Sequence, residues 1–183
     1  LKQFLSLAKL ENITEIINNI LETGKKVIVF SQYLQPLSIL KKTFSDNAVV
    51  FWGEMNTKEK QEAVFKFQND KNVKIFLGSI KASGLGITLT AANICIFLDL
   101  DWTPSLHAQC SDRCHRIGTK IPVNIYYLIA NKTIEENIYA LLQKKMSVIS
   151  ELLQEEDILK IKNQSIFPEF LKQLKEKTKK TKN

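Results

Sequence analysis

The chain lacks the glycine loop that wraps nucleotide phosphates, G-x-x-x-x-G-K-[ST]. The nearest approach is Gly24-Lys25-Lys26, which has Asn19 where the first glycine belongs and Lys26 where the hydroxyl residue belongs. A helical pattern also precedes it, whereas the phosphate loop follows a strand, so Gly24 reads as a helix cap. Any ATP chemistry therefore has to borrow its phosphate cradle from another unit. Cysteine is scarce and odd in number: Cys95, Cys110 and Cys114 make no disulfide framework, which points to a reducing, intracellular setting. That means the cytoplasm or nucleoid of a prokaryote or virus, or a eukaryotic nucleus. No apolar run reaches membrane-spanning length, so no membrane partner is expected. The first residue is Leu1, without a signal-peptide pattern, and the chain is expected to be a piece of a longer one. With only four prolines, no internal repeat and no low-complexity linker ahead of the lysine-rich end, nothing divides the 183 residues into separate compact units.

Acidic residues are outnumbered, 19 against 26 basic ones, for a formal charge of +7. Residues 169–183 hold six lysines and two glutamates, which is +4 of that excess and leaves a mildly basic body of +3. A lysine block of this kind is commonly a solvated tail, so it receives no sequence-reading role. Hydrophobic residues make up 44% of the chain, enough to fill one core.

Their spacing predicts alternating helices and strands. Phe4, Leu7, Leu10, Ile13, Ile16, Ile17, Ile20 and Leu21 recur at helical intervals, predicting one amphipathic helix capped at Gly24. Short β-branched runs predict strands at Val27 to Phe30, Ala48 to Phe51, Val73 to Leu77, Ile94 to Leu98 and Val123 to Leu128. Helices are predicted over Leu34 to Phe44, Lys58 to Gln68, Ser105 to His115 and Ile134 to Leu153. Buried strands alternating with helices imply an α/β fold, a mostly parallel sheet with helices on both faces. Ligands then gather beyond the carboxyl ends of the strands, in the loops after Phe30, Leu77, Leu98 and Leu128.

Two of those loops carry chemistry. Gly78 to Thr90 reads GSIKASGLGITLT, where Gly84 and Gly86 permit close backbone approach and Ser79, Lys81, Ser83 and Thr88 offer donors to phosphate oxygens. A plain glycine and serine turn explains that segment equally well. Farther on, Arg113 and Arg116 lie three apart, so a helix points both guanidiniums to one side, the arrangement that stabilises charge on a transferring phosphoryl group. A surface arginine pair bridged to Asp112 is the plainer alternative. His107, Cys110 and Cys114, with His115 adjacent, also share a helical face, but structural zinc draws ligands from two separated pairs, and buried small cysteines account for the same residues. No metal site is expected, and nothing resembles a nucleophile elbow.

In order, KKVIVFSQY, GSIKASGLGITLTAA, DLDWTP, QCSDRCHRIG and NIYYLIANKTIEENI resemble the C-terminal helicase lobe of the Swi/Snf-type ATPases of helicase superfamily two. The resemblance runs from Leu1 to about Leu153. DRCHRIG and YYLIANKT look most like the annealing-helicase branch. The fold it implies is a RecA-like three-layer sandwich over 1–153, with a bracing helix at 134–153 and a basic extension at 154–183. The resemblance makes Arg113 and Arg116 arginine fingers directed at ATP and Mg2+ held by a first lobe of the same parent chain. It implies that Gln109, Gly84 and Gly86 belong to the nucleotide side, and that Ser31, Gln32, Ser79, Lys81 and Trp102 face double-stranded or branched DNA. By residue type alone, Trp102 reads as an ordinary core cap. This chain departs from the family with Ser83 in place of a glycine, Thr88 and Thr103 in place of asparagines, Thr119 in place of a glutamine and Lys60 in place of an arginine.

The implied function is the second motor lobe of an ATP-dependent DNA translocase or remodeller, inactive by itself. Two alternatives stand beside it: an unwinding lobe from another branch of superfamily two, which DLDWTP and the Ile117-Gly118 ending argue against, and a nucleic-acid-binding or regulatory lobe with no functional ATPase partner.

Overall fold

A computed structural model describes residues 1–83, 86–114 and 122–151. Five strands, β1 (Val27–Ser31), β2 (Ala48–Phe51), β3 (Ile75–Ser79), β4 (Ile94–Phe97) and β5 (Asn124–Tyr127), form one sheet in the order β2-β3-β1-β4-β5, and every pairing is parallel. Around it lie α1 (Lys2–Ala8), α2 (Leu10–Glu22), α3 (Leu34–Phe44), α4 (Thr57–Asn69), α5 (Pro104–Cys114) and α6 (Ile134–Glu151).

The strand alternation sorts the core into two layers. Val27 and Val29 of β1, Ile75 and Leu77 of β3, and Ile94 and Ile96 of β4 face α2 and α3, where they meet Ile13, Ile17, Leu37 and Leu40. The intervening Ile28, Phe30, Phe76, Cys95 and Phe97 face α4 and α5 and meet Phe67, Cys110 and Cys114. Because neighbours along a strand point to opposite faces, five-residue runs such as Val27–Ser31 are buried throughout and read as continuous apolar strands. Aromatic rings concentrate on the second face, with Phe30 against Phe97 at 5.5 Å between centroids and Phe67 against Phe76 at 5.3 Å. The α/β sandwich expected from the strand and helix alternation is the observed one. At the edge, β5 differs from the expectation of a buried strand, since Asn124, Ile125 and Tyr126 are exposed.

The first helix also departs from its pattern. Residues 2–22 form two helices broken at Lys9, and Phe4, which helical spacing places on the apolar face, is 69% exposed. What α1 buries is Lys2, Ser6 and then Lys9 just beyond it, a polar stripe spaced four and three residues apart. The reason lies at the carboxyl ends of the strands, where main-chain carbonyls and carboxylates need partners. Lys9 Nζ donates to the carbonyls of Leu98 and Leu128 and bridges to Glu135 at 2.8 Å, with the two side chains only 7% and 0% exposed. Glu135 Oε2 also accepts from the Ala130 amide at 2.8 Å, which fixes the start of α6. Lys2 donates to the Leu100 carbonyl, and Ser6 to Asp99 at 3.2 Å.

Removing one partner of such a buried pair strands the other charge. Glu135→Ala is expected to lower stability by about 3 to 5 kcal/mol, read as a shift in the urea unfolding midpoint; a change under about 1 kcal/mol, the range of an exposed pair, would show that the bridge holds nothing together.

Candidate functional site

Strand order reverses around β1, since the chain leaves it toward β2 and returns on its other side to β4. That crevice is where open parallel sheets take their ligands. Here its floor is occupied by the protein's own side chains. Asp99, just past β4, accepts from Ser31 Oγ at 2.5 Å and from the Gln32 amide at 2.7 Å. Burial pushes its carboxyl above the usual carboxylate range, partly offset by the Ser31 and Gln32 hydrogen bonds. Asp101 accepts from Gln32 Nε2 at 2.6 Å through one oxygen and from the Thr103 amide at 2.9 Å through the other.

These bonds place the expected residues unequally. Ser31, expected at the DNA, is buried in this lobe, and its hydroxyl is engaged by Asp99, which orients the turn after β1. Trp102 is half-buried against the cluster of Leu100, Ile138, Leu141 and Leu142, with the Lys2 ammonium 4.5 Å from its ring centroid. That is the position of a core cap. Gln32, Ser79 and Lys81, in contrast, come together in an open groove of about 610 Å³, joined by Gly53 and Lys60. Lys60 Nζ reaches the Gly53 carbonyl at 3.2 Å, so the lysine that stands in place of the family's arginine sits in the same groove.

Gly78 is fixed by crowding. A Cβ there would lie 2.8 Å from the Phe30 ring and 2.9 Å from Ser83 Oγ. Ser83 in turn donates back to the Ser79 carbonyl at 2.8 Å, closing the tight turn that presents Lys81. Gly86 is the opposite case: a Cβ there meets nothing within 4 Å, so the packing of this chain gives no reason for glycine. It borders a second groove of about 720 Å³ with Phe65, Gln68 and Thr88. Gly84 lies outside the described residues.

A main-chain bond ties the glycine loop to the arginine helix, Leu89 N–H to the Arg113 carbonyl at 2.8 Å. Arg113 is half-buried in the last described turn of α5, and Gln109, one turn earlier, is also half-buried. Arg116 lies outside the described residues. On the same helix His107 is buried beside Phe97 and Tyr127, and burial lowers its basicity, so it is neutral there; Nε2 sits 3.1 Å from the Asp101 amide and steadies the turn before α5. Cys110 is pushed up to about 12 by burial and is not a thiolate near neutrality. Among the described residues no three His, Cys, Asp or Glu side chains gather as a metal site, and no helix is long and apolar enough to cross a membrane.

The family model for the helicase conserved C-terminal domain matches residues 8–118. The chain belongs to that family. Its Swi/Snf type follows from the solved structures that this helicase lobe resembles. It superposes on the C-terminal part of the Fun30 ATPase domain with a TM-score of 0.68 and 34% identity, over 73% of this chain and 44% of that one. It superposes on the Sulfolobus solfataricus SWI2/SNF2 ATPase core domain with a TM-score of 0.62 and 34% identity, over 77% of this chain and 29% of that one. An uncharacterized ATP-dependent helicase of Mycoplasma pneumoniae is 37% identical over 152 residues, which is 81% of this chain but 15% of that protein. The helicase lobe thus spans a small fraction of such relatives.

Several members of the site were missed in the sequence. Lys2, Ser6, Lys9, Asp99 and Glu135 carry the polar floor, and the readable signal was Lys-x3-Ser-x2-Lys along one side of an otherwise amphipathic helix. Gly78→Ala is expected to destabilise the lobe by about 1 to 3 kcal/mol through overpacking against Phe30; chemical denaturation showing no loss would mean that the turn has room the distances deny.

Proposed function

We propose that this chain is the second motor lobe of an ATP-dependent double-stranded DNA translocase or remodeller. Arg113 and Arg116 supply positive charge to a triphosphate held, with Mg2+, by the first lobe of the same parent chain, and the Gln32–Lys60–Ser79–Lys81 groove receives the DNA backbone. The single observation that carries this reading is the Leu89–Arg113 main-chain bond, which makes the glycine loop and the arginine helix one mechanical unit. A loop that feels DNA then cannot shift without moving the helix that bears the guanidinium.

The residue chemistry fits the nucleotide in part. A half-buried arginine is suited to charge developing on phosphate oxygens, where it is worth about 10³ to 10⁵ in rate. The phosphate wrap itself is missing from the sequence, so binding falls mainly to the partner lobe. Lys60 and Lys81 are point charges beside serine and amide donors, a set that contacts phosphates and carries no base-reading fork. Gly86, open on its Cβ side, leaves a backbone approach to whatever fills the second groove. Gln109 and Gly84 are assigned to the nucleotide side by resemblance alone, and Trp102 keeps only a secondary DNA role given its packing.

In the complete parent enzyme, Arg113→Ala is expected to lower ATP turnover by about 10³-fold or more while ATP still binds, and the isolated lobe is expected to show no turnover. A mutant that hydrolyses ATP at the normal rate would refute the finger assignment. For the groove, Lys60→Ala with Lys81→Ala is expected to weaken duplex binding evenly across sequences and to lower the log–log salt slope by about 2. An unchanged slope would place the DNA elsewhere.

A further inference from the structure

The glycine loop is held from a second side. Gln68, on the last turn of α4, donates through Nε2 to the Thr88 carbonyl at 2.8 Å and to Thr90 Oγ1 at 3.4 Å, and accepts through Oε1 from the Ala91 amide at 2.8 Å. Its bonds thus straddle Leu89, the residue whose own amide is bonded to Arg113 and whose side chain is fully buried in the core. Both ends of one amide are spent on a single four-residue stretch of loop.

We propose that Gln68 is the positioning residue that sets the register between the glycine loop and the arginine helix, with α4 as the rod that carries DNA contact to it. This rests on the reading of Arg113 as a finger. The rod is rigid at both ends. Asn56 and Glu59 close a reciprocal cap at its start, each side chain bonded to the other residue's amide at 2.8 to 2.9 Å. At its finish the Lys26 ammonium binds the carbonyls of Phe67 and Asp70, while the Phe67 ring is buried against Phe76. Lys60, in the DNA groove, and Gln68, on the loop, are eight residues apart on this helix, or about 12 Å along its axis. A phosphate drawing on Lys60 moves α4 as a body, and the amide of Gln68 transmits that displacement to Thr88, Leu89 and so to Arg113. A side chain that merely filled space would not need both a donor and an acceptor aimed at main-chain groups on either side of Leu89.

The test uses the complete parent enzyme with duplex DNA and ATP. Gln68→Met keeps the length and removes both hydrogen-bonding ends. It is expected to lower DNA-stimulated kcat about tenfold, within the range of positions that modulate coupling, while KM for ATP, duplex affinity and, to within about 2 °C, Tm stay put. Gln68→Glu separates positioning from bulk. Ionised, its carboxylate faces the Thr88 carbonyl and repels it, so kcat at neutral pH is expected to be as low as in Gln68→Met. Protonated, it donates to Thr88 and accepts from Ala91 as the amide does, so its kcat relative to wild type at the same pH is expected to climb as pH falls. Normal kcat in Gln68→Met overturns the proposal, as does a loss that tracks a fallen Tm with no acid recovery in Gln68→Glu. Arg113→Ala run in parallel keeps the two ideas apart: if it abolishes turnover while Gln68→Met does not, only the positioning role fails, and if it leaves turnover intact, the finger reading fails and takes this one with it.

Discussion

A single lysine ammonium, Lys9, holds the business end of the sheet together. It sits beyond the carboxyl ends of β4 and β5, where the Leu98 and Leu128 carbonyls emerge, and neutralises the buried Glu135 that begins α6. Taking a lysine and a glutamate out of water is costly, and further hydrogen bonds offset it: Glu135 accepts from the Ala130 amide, and Asp99 from Ser6, Ser31 and Gln32. The consequence is geometric. Three strand ends, the first helix and the last described helix are locked to one point, so the loops that bear Gln32, Trp102 and the start of α6 share a common frame.

Beside that rigid frame, the described parts of the segment from Gly78 to Ala91 combine burial of Ile80, Ala82, Ser83 and Leu89 with discrete bonds at either end. Gly78 is wedged against Phe30, Ser83 folds back on Ser79, and Leu89 is anchored by its side chain, by Arg113 and by the bonds of Gln68 on either side. At Gly86 an added Cβ would meet nothing within 4 Å, so that part of the segment is not fixed by crowding.

The open groove is only mildly charged, as is the body of the chain around it. Among the described residues Lys60 and Lys81 are the cations that line it, and Glu54 also borders it. Backbone recognition distributed over a few lysines needs no large basic patch. The lysine excess of residues 169–183 belongs to a different part of the chain.

Much of the fold was legible from the sequence because its signals are local. Period-two alternation within continuous apolar strands, helical spacing between them, and the cap at Gly24, which has φ near +75°, are all consequences of backbone geometry acting over a few residues. The order of motifs likewise points to the helicase C-terminal family. What only the tertiary structure decided is which polar residues face inward. Ser31 and Lys9 look like surface residues in sequence, yet each is buried, because its partner lies dozens of residues away: Asp99 for one, Glu135 for the other. The same holds for Gln68, whose role depends on Thr88 and Ala91 arriving at its amide from another element. Apolar burial follows a periodic rule that a single segment can reveal, whereas a buried hydrogen bond needs two segments in register, and that register exists only once the sheet has assembled.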